Sequence, residues 1–167
     1  RRDGIRYPSH AGRFTGEPAY FAHVMGASMQ LLEKTKTKPK DYAYCVFHMP
    51  NGRFPREVAK RLGFTDQQLA PSLTVNFVGN PYAASALLGF SAVLDSAKPE
   101  KKIFMVSYGS GAGSDAFLWR VNKEIVHIQE IRKKNKLFVQ DQIKNKIYTM
   151  LLDGEGEGLG GGLGQLP

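Results

Sequence analysis

Three short motifs punctuate the middle of this chain, and each stands at the end of an apolar run. Tyr44-Cys45-Val46-Phe47 leads into His48-Met49-Pro50-Asn51-Gly52, and Gly79-Asn80-Pro81-Tyr82-Ala83-Ala84-Ser85 opens a stretch of small residues. Ser107-Tyr108-Gly109-Ser110-Gly111-Ala112-Gly113-Ser114-Asp115 then separates two further apolar runs. Polar turns at the ends of buried elements belong to α/β layers, where the sheet fixes the backbone and the loops open onto a cleft.

Periodicity supplies the elements. Residues 1–16 are polar and glycine-interrupted and read as a loop. Glu17 to Lys34 sets Tyr20, Phe21, Val24, Met25, Ser28, Leu31 and Leu32 near a 3.6-residue repeat, which predicts a helix. Tyr42 to Phe47 predicts a short buried strand. Pro55 to Leu62 predicts a helix, with proline in its first turn and Gly63 just past its end. Leu73 to Val78 reads as a second strand and Pro81 to Leu94 as a closely packed helix. Lys102 to Tyr108 and Ala116 to Val121 read as an antiparallel pair joined by the glycine-rich segment, and Glu124 to Lys136 as a charged helix. Together these give an α/β half-unit, a mixed sheet covered by helices. Residues 154–164 hold seven glycines, too many to offset the entropy of ordering, so 149–167 reads as a flexible tail behind a domain spanning 1–148.

Charge and cysteine content narrow the class. The net charge of +8 gathers in Arg1, Arg2, Arg6 and Arg13 and in Arg132, Lys133, Lys134, Lys136, Lys144 and Lys146. No zinc-ligand spacing, RNP-like strand or basic heptad accompanies it, which argues against nucleic acid. The reading left is a solvated face plus cations that meet a phosphorylated ligand. A single cysteine excludes an internal disulfide and favours a reducing compartment, hence the cytoplasm. No apolar run reaches the roughly 18 residues that span a membrane. Beginning at Arg1, the chain reads as a split subunit, a fragment or a trimmed product.

His48 closes a strand, where a neutral imidazole can donate to a developing oxyanion or move a proton; the plainer reading is a histidine tied to a backbone carbonyl. Asn80 can offer its amide to a carbonyl, or cap the helix it precedes. Gly109 to Gly113 can expose backbone N–H groups as an anion nest, or simply form a hairpin, and it lacks the lysine of a P-loop. Cys45 lies three residues before His48 on a strand whose side chains alternate, so the two point oppositely and the thiol reads as structural. His10, His23 and His127 read as surface or packing residues, and no set has metal-ligand spacing.

These segments resemble the second half of the thiolase superfamily, and most closely archaeal-type hydroxymethylglutaryl-CoA synthase. Tyr44 to Pro55 is similar to that family's catalytic-histidine segment. Gly79 to Ser85, Ser107 to Phe117 and, before them, Gly12-Arg13-Phe14-Thr15-Gly16-Glu17-Pro18 continue the match in order. The resemblance implies the C-terminal half of a thiolase-like fold, with His48 catalytic and Asn80 and Ser110 contacting the acyl group. It implies that Arg13, Thr15, Arg53 and Arg56 line a CoA site, although Glu57 stands where a further arginine is expected. The substrates implied are acetyl-CoA and acetoacetyl-CoA, with no permanently bound cofactor. The acyl-accepting cysteine and the base glutamate belong to an N-terminal half outside this sequence. That half is therefore the first expected partner, with a homodimer, acetoacetyl-CoA thiolase and a small zinc-containing scaffold protein as others. Ketoacyl synthase III enzymes share the histidine, asparagine and glycine-rich logic, but Pro50, Pro81 and Tyr82 favour the synthase. A non-catalytic scaffold subunit is the remaining alternative.

Overall fold

A computed structural model describes residues 16–109 and 113–143. A tight turn over Glu17–Phe21 runs directly into α1 (Ala22–Thr35), so the predicted helix is present. Next come β1 (Tyr44–Phe47), α2 (Arg53–Leu62), the short α3 (Asp66–Leu69) and α4 (Val75–Val78), and α5 (Ser85–Leu94). β2 (Lys102–Val106), β3 (Ala116–Arg120) and α6 (Ile125–Lys134) complete the order, and residues 139–143 are again helical.

The sheet runs β1-β2-β3. β1 lies parallel to β2, with Phe47 opposite Val106, and β3 returns antiparallel, with Ala116 opposite Val106. Gly109 and Gly113 pair across the turn between them, as the glycine-rich hairpin predicts. Alternation then sorts the strands onto two faces. Cys45, Phe47, Phe104 and Val106 pack against Tyr20, Val24, Val58, Phe64 and Leu69. Val46, Ile103 and Met105 pack on the other side against Ala86 and Val93 of α5 and Ala97 beyond it. Helices thus cover a mixed sheet from both sides.

Helix ends follow the residues that can make them. Gly63, at φ 87°, turns left-handed where no side chain is strained, and Phe64 N–H reaches back to the Ala59 carbonyl at 2.9 Å to close α2. Asn51 starts the same helix by accepting from the N–H groups of Arg53 (2.9 Å) and Phe54 (3.2 Å). α5 packs closely on both sides, as its small residues predict. Leu88 and Ala92 meet Val139 and Ile143, while Gly89 leaves room for Ser72, Met49 and Val46.

One predicted strand is wrong. Leu73 to Val78 is a helical turn, because its backbone bonds are local: Phe77 and Val78 both donate to the Thr74 carbonyl, at 3.0 and 3.2 Å. The buried residues Thr74 and Val75 are adjacent, whereas Phe77 and Val78 face solvent. A strand would have buried alternate positions. A six-residue apolar run does not separate the two outcomes. Of the predicted loop over 1–16 only Gly16 is described, and the predicted tail over 149–167 lies outside the described residues.

Candidate functional site

His48 directly follows β1, and its N–H still pairs with the Val106 carbonyl at 3.0 Å, so the sheet holds its backbone. Its carbonyl accepts the Tyr20 hydroxyl at 2.7 Å. The ring lies beside those of Tyr108 (centroids 5.7 Å) and Tyr20 (6.4 Å) and is 7% exposed. Burial lowers the imidazole pKa below its ordinary 6.5, because an imidazolium loses hydration there. Near neutral pH the ring is therefore uncharged, able to donate from one nitrogen and accept at the other. It makes no hydrogen bond to another described residue, so what is tied down is the main chain of His48 and not its imidazole.

The second motif reaches the first through its last residue. Ser85, the first residue of α5, accepts the Met49 N–H at 2.9 Å inside the core. Asn80 stands upstream, after Gly79 at φ 69°, and its Oδ1 accepts the Tyr82 N–H at 2.9 Å to open a single 3₁₀ turn over Tyr82–Ala84. The oxygen of Asn80 thus closes a local turn before α5 and does not cap that helix, whose first residue follows Ala84. Its NH₂ has no partner among the described residues.

The third motif reaches the first through the sheet. Tyr108 follows β2 and packs on His48, while Ser107 N–H bonds the Asp115 carbonyl at 2.9 Å to hold the hairpin. Ser110 lies outside the described residues, as do Arg13 and Thr15. His23 is exposed, with its ring 6.1 Å from Tyr108, and His127 is exposed on α6. Cys45 is buried on the face that Phe47 shares, and burial pushes its thiol far up, so it is a core side chain.

Arg53 and Arg56 come together along the first turns of α2. With Gly52, Lys60, Thr65 and Asp66 they border an open groove of about 750 Å³. The Arg56 guanidinium donates to the Gly52 carbonyl, so this cation is attached to the loop that leaves His48. Glu57 is occupied elsewhere: it accepts Arg61 Nε at 2.8 Å, and Arg61 also meets Glu17 at 2.7 Å and lies over the Phe21 ring. Tyr20 and Ser85 escaped the sequence reading of the site. Tyr20 was legible only as one member of an apolar stripe, although a buried phenol needs a hydroxyl partner.

Comparison with known proteins decides the family. A family model described as 3-oxoacyl-[acyl-carrier-protein] synthase III C terminal matches residues 32–121, which include His48, Asn80 and both sheet connections. The chain belongs to that family. Its relatives within it include hydroxymethylglutaryl-CoA synthases of three archaea. Those of Methanococcoides burtonii and Methanosarcina barkeri are 51% and 53% identical over 148 residues, and that of Methanopyrus kandleri is 49% identical over 149. Each alignment covers 89% of this chain but 41% of the relative, so the chain spans well under half the length of the proteins it matches. The resemblance to the C-terminal half of archaeal-type synthases is thereby borne out.

Solved structures agree on the synthase III fold. PksG, an HMG-CoA synthase from Bacillus subtilis, superposes with a TM-score of 0.61 over 82% of this chain and 39% of that one, at 17% identity. The 3-oxoacyl-(acyl carrier protein) synthase III of Pseudomonas aeruginosa gives 0.57 over 62% and 33%, at 20% identity. Among the described residues no helix is long and apolar enough to cross a membrane.

Proposed function

We propose that this chain supplies the acceptor side of a hydroxymethylglutaryl-CoA synthase, an acyltransferase that condenses acetyl-CoA with acetoacetyl-CoA. One observation carries the reading: a buried, neutral imidazole at a strand end whose main chain is held while its ring nitrogens meet no other described residue. Such a group suits a carbonyl that must become an alkoxide.

In this reading the N-terminal half contributes a cysteine that takes the acetyl group from acetyl-CoA, releasing CoA as the free thiol, and a glutamate that removes a methyl proton. The resulting carbanion attacks the ketone carbon of acetoacetyl-CoA, and its oxygen becomes an alkoxide that takes a proton delivered through His48. Asn80, with its oxygen engaged by the Tyr82 N–H, presents its NH₂ to an acyl carbonyl, and Ser110 contacts the same group. Hydrolysis of the enzyme thioester by water releases the product and regenerates the enzyme's cysteine thiol. Arg53 and Arg56 on the groove, with Arg13 and Thr15, meet the CoA phosphates. No permanently bound cofactor is required, and the work belongs to isoprenoid precursor synthesis in the cytoplasm. The N-terminal half is the obligatory partner. A dimer, acetoacetyl-CoA thiolase and a small zinc-containing scaffold protein are further ones.

Co-expression with a matching N-terminal half, followed by assay of CoA thiol release from acetyl-CoA and acetoacetyl-CoA, tests the proposal. Release should need both substrates and vanish in His48→Ala; a well-folded complex that releases no thiol would overturn it. The family model favours one competitor, a ketoacyl synthase III activity that condenses onto an acyl carrier protein. Turnover with malonyl carrier protein but not with acetoacetyl-CoA would select it. Unchanged turnover in His48→Ala would instead favour a scaffold subunit.

A further inference from the structure

We propose that Tyr20 and Ser85 are positioning residues that clamp the His48–Met49 peptide from the two faces of the sheet and so aim the imidazole; this rests on the acceptor-side reading above. Three hydrogen bonds converge on two consecutive residues. His48 N–H goes to Val106, the His48 carbonyl takes the Tyr20 hydroxyl at 2.7 Å, and Met49 N–H goes to Ser85 Oγ at 2.9 Å. The side chains making the last two are fully buried, and so is Met49.

The two clamps come from different layers. Tyr20 belongs to the turn that feeds α1 and lies in the core that receives Cys45 and Phe47. Ser85 begins α5, the helix on the opposite face. β1 has ended at Phe47, so without these bonds the ladder would stop at the His48 N–H. Burial, with Tyr108 close by, keeps the Tyr20 phenol protonated far above neutral pH, so it remains a donor throughout any working range. The side chain of His48 has no hydrogen bond of its own to a described residue. Its direction is therefore set by this peptide and by the rings packed on it, Tyr20 and Tyr108. Misplacing a reacting group by about 1 Å costs up to about a hundredfold in rate.

Tyr20→Phe keeps the ring and removes one bond; Ser85→Ala removes the other without adding bulk. Titration of the histidine ring ¹³C resonances follows His48, assigned by its loss in His48→Gln. The rings packed on His48 are the phenols of Tyr20 and Tyr108, and burial holds both neutral through the range. A shifted midpoint therefore reports changed hydration of the imidazole. In both variants the midpoint should rise toward 6.5, and in the complex with the N-terminal half kcat should fall about ten- to a hundredfold with KM for acetoacetyl-CoA within about twofold. A merely structural role would lower the melting temperature and leave the midpoint and kcat of the folded protein where they were; that result overturns the proposal. His48→Ala separates the two claims. If it abolishes turnover, full kcat in either variant refutes the clamp. If it leaves turnover intact, the acceptor-side reading falls instead, and the His48 midpoint alone decides whether the clamp stands.

Discussion

Two glycines in helix interiors should respond to alanine with opposite signs. At Gly26 in α1 an added Cβ would meet nothing within 4 Å. Helix propensity alone then acts, and Gly26→Ala should stabilise by about 0.8–1.0 kcal/mol. At Gly89 in α5 the same carbon would sit 2.9 Å from the Ser72 carbonyl oxygen, 3.1 Å from Met49 Cε and 3.2 Å from Val46 Cγ1. The methionine end can move, but a backbone oxygen and a strand side chain yield only with the elements that carry them. Overpacking of this kind costs about 1–3 kcal/mol, which outweighs the propensity gain and leaves a net loss of about 1 kcal/mol. The two variants should differ by about 2 kcal/mol, or roughly 4–8 °C in melting temperature for a chain of this size. Circular dichroism during heating and urea titration measures both. Equal stabilisation by the two alanines would refute the packing argument, and with it the close approach of α5 to the Met49 loop.

The remaining expectations concern charge. The pKa of His48 is lowered in the folded state by desolvation, so the unfolded chain binds the proton more readily. Stability should therefore be complete above about pH 6.5, fall as pH drops below that unfolded-state value, and level off once pH is below the folded-state pKa, and His48→Gln should flatten that slope in urea titrations between about pH 7 and 5. Asp95 receives Arg132 Nε at 2.8 Å and the Val139 N–H at 2.7 Å, joining the end of α5 to α6 and to the helical residues 139–143. Asp95→Ala should lower stability by about 2–3 kcal/mol, since it removes two bonds to a charged acceptor, and should speed amide exchange at 139–143 first. If Arg53 and Arg56 meet CoA phosphates, replacing either by Ala should weaken CoA binding about tenfold and reduce its salt dependence. CoA should displace an acyl-CoA probe from the native chain, while duplex DNA at equal phosphate concentration should not.

The sequence carried the sheet and most of the helices because burial and punctuation agreed there. β1 is a continuous apolar run closed by His-Met-Pro, and α2 is bracketed by Pro55 and Gly63, so local chemistry and tertiary packing demanded the same structure. Leu73 to Val78 failed because a short apolar run suits a strand or a turn of helix equally well; the choice fell to Thr74, whose carbonyl collects two local N–H groups. Within the candidate site, His48 and Asn80 were legible as polar residues in apolar settings. Tyr20 and Ser85 were not. One hides in an amphipathic stripe and the other looks like helix filler, and their roles exist only through hydrogen bonds that cross 28 and 36 residues of sequence. Glu57 was legible as a departure from the family pattern, but its pairing with Arg61 depends on the helical spacing of four.

The same contrast bears on why a site proposed at His48 suits this place in the fold. A side chain that must meet a ligand cannot also spend its donors on the protein, so its orientation has to be imposed through the main chain. At His48 the backbone is bonded by a strand on one flank and a turn-borne phenol on the other, while the next residue is fixed by a hydroxyl of α5. The ring keeps its nitrogens uncommitted to the described residues and sits where desolvation holds it neutral. Asn80 divides its labour similarly, with oxygen to its own turn and NH₂ outward. Cys45, three residues earlier and inside β1, receives the reverse treatment: it is enclosed among Phe47 and Phe104, where burial keeps its thiol protonated. On the proposed reading, the uncharged imidazole at this strand end is free to meet a carbonyl, whereas the thiol inside the strand is held protonated in the core.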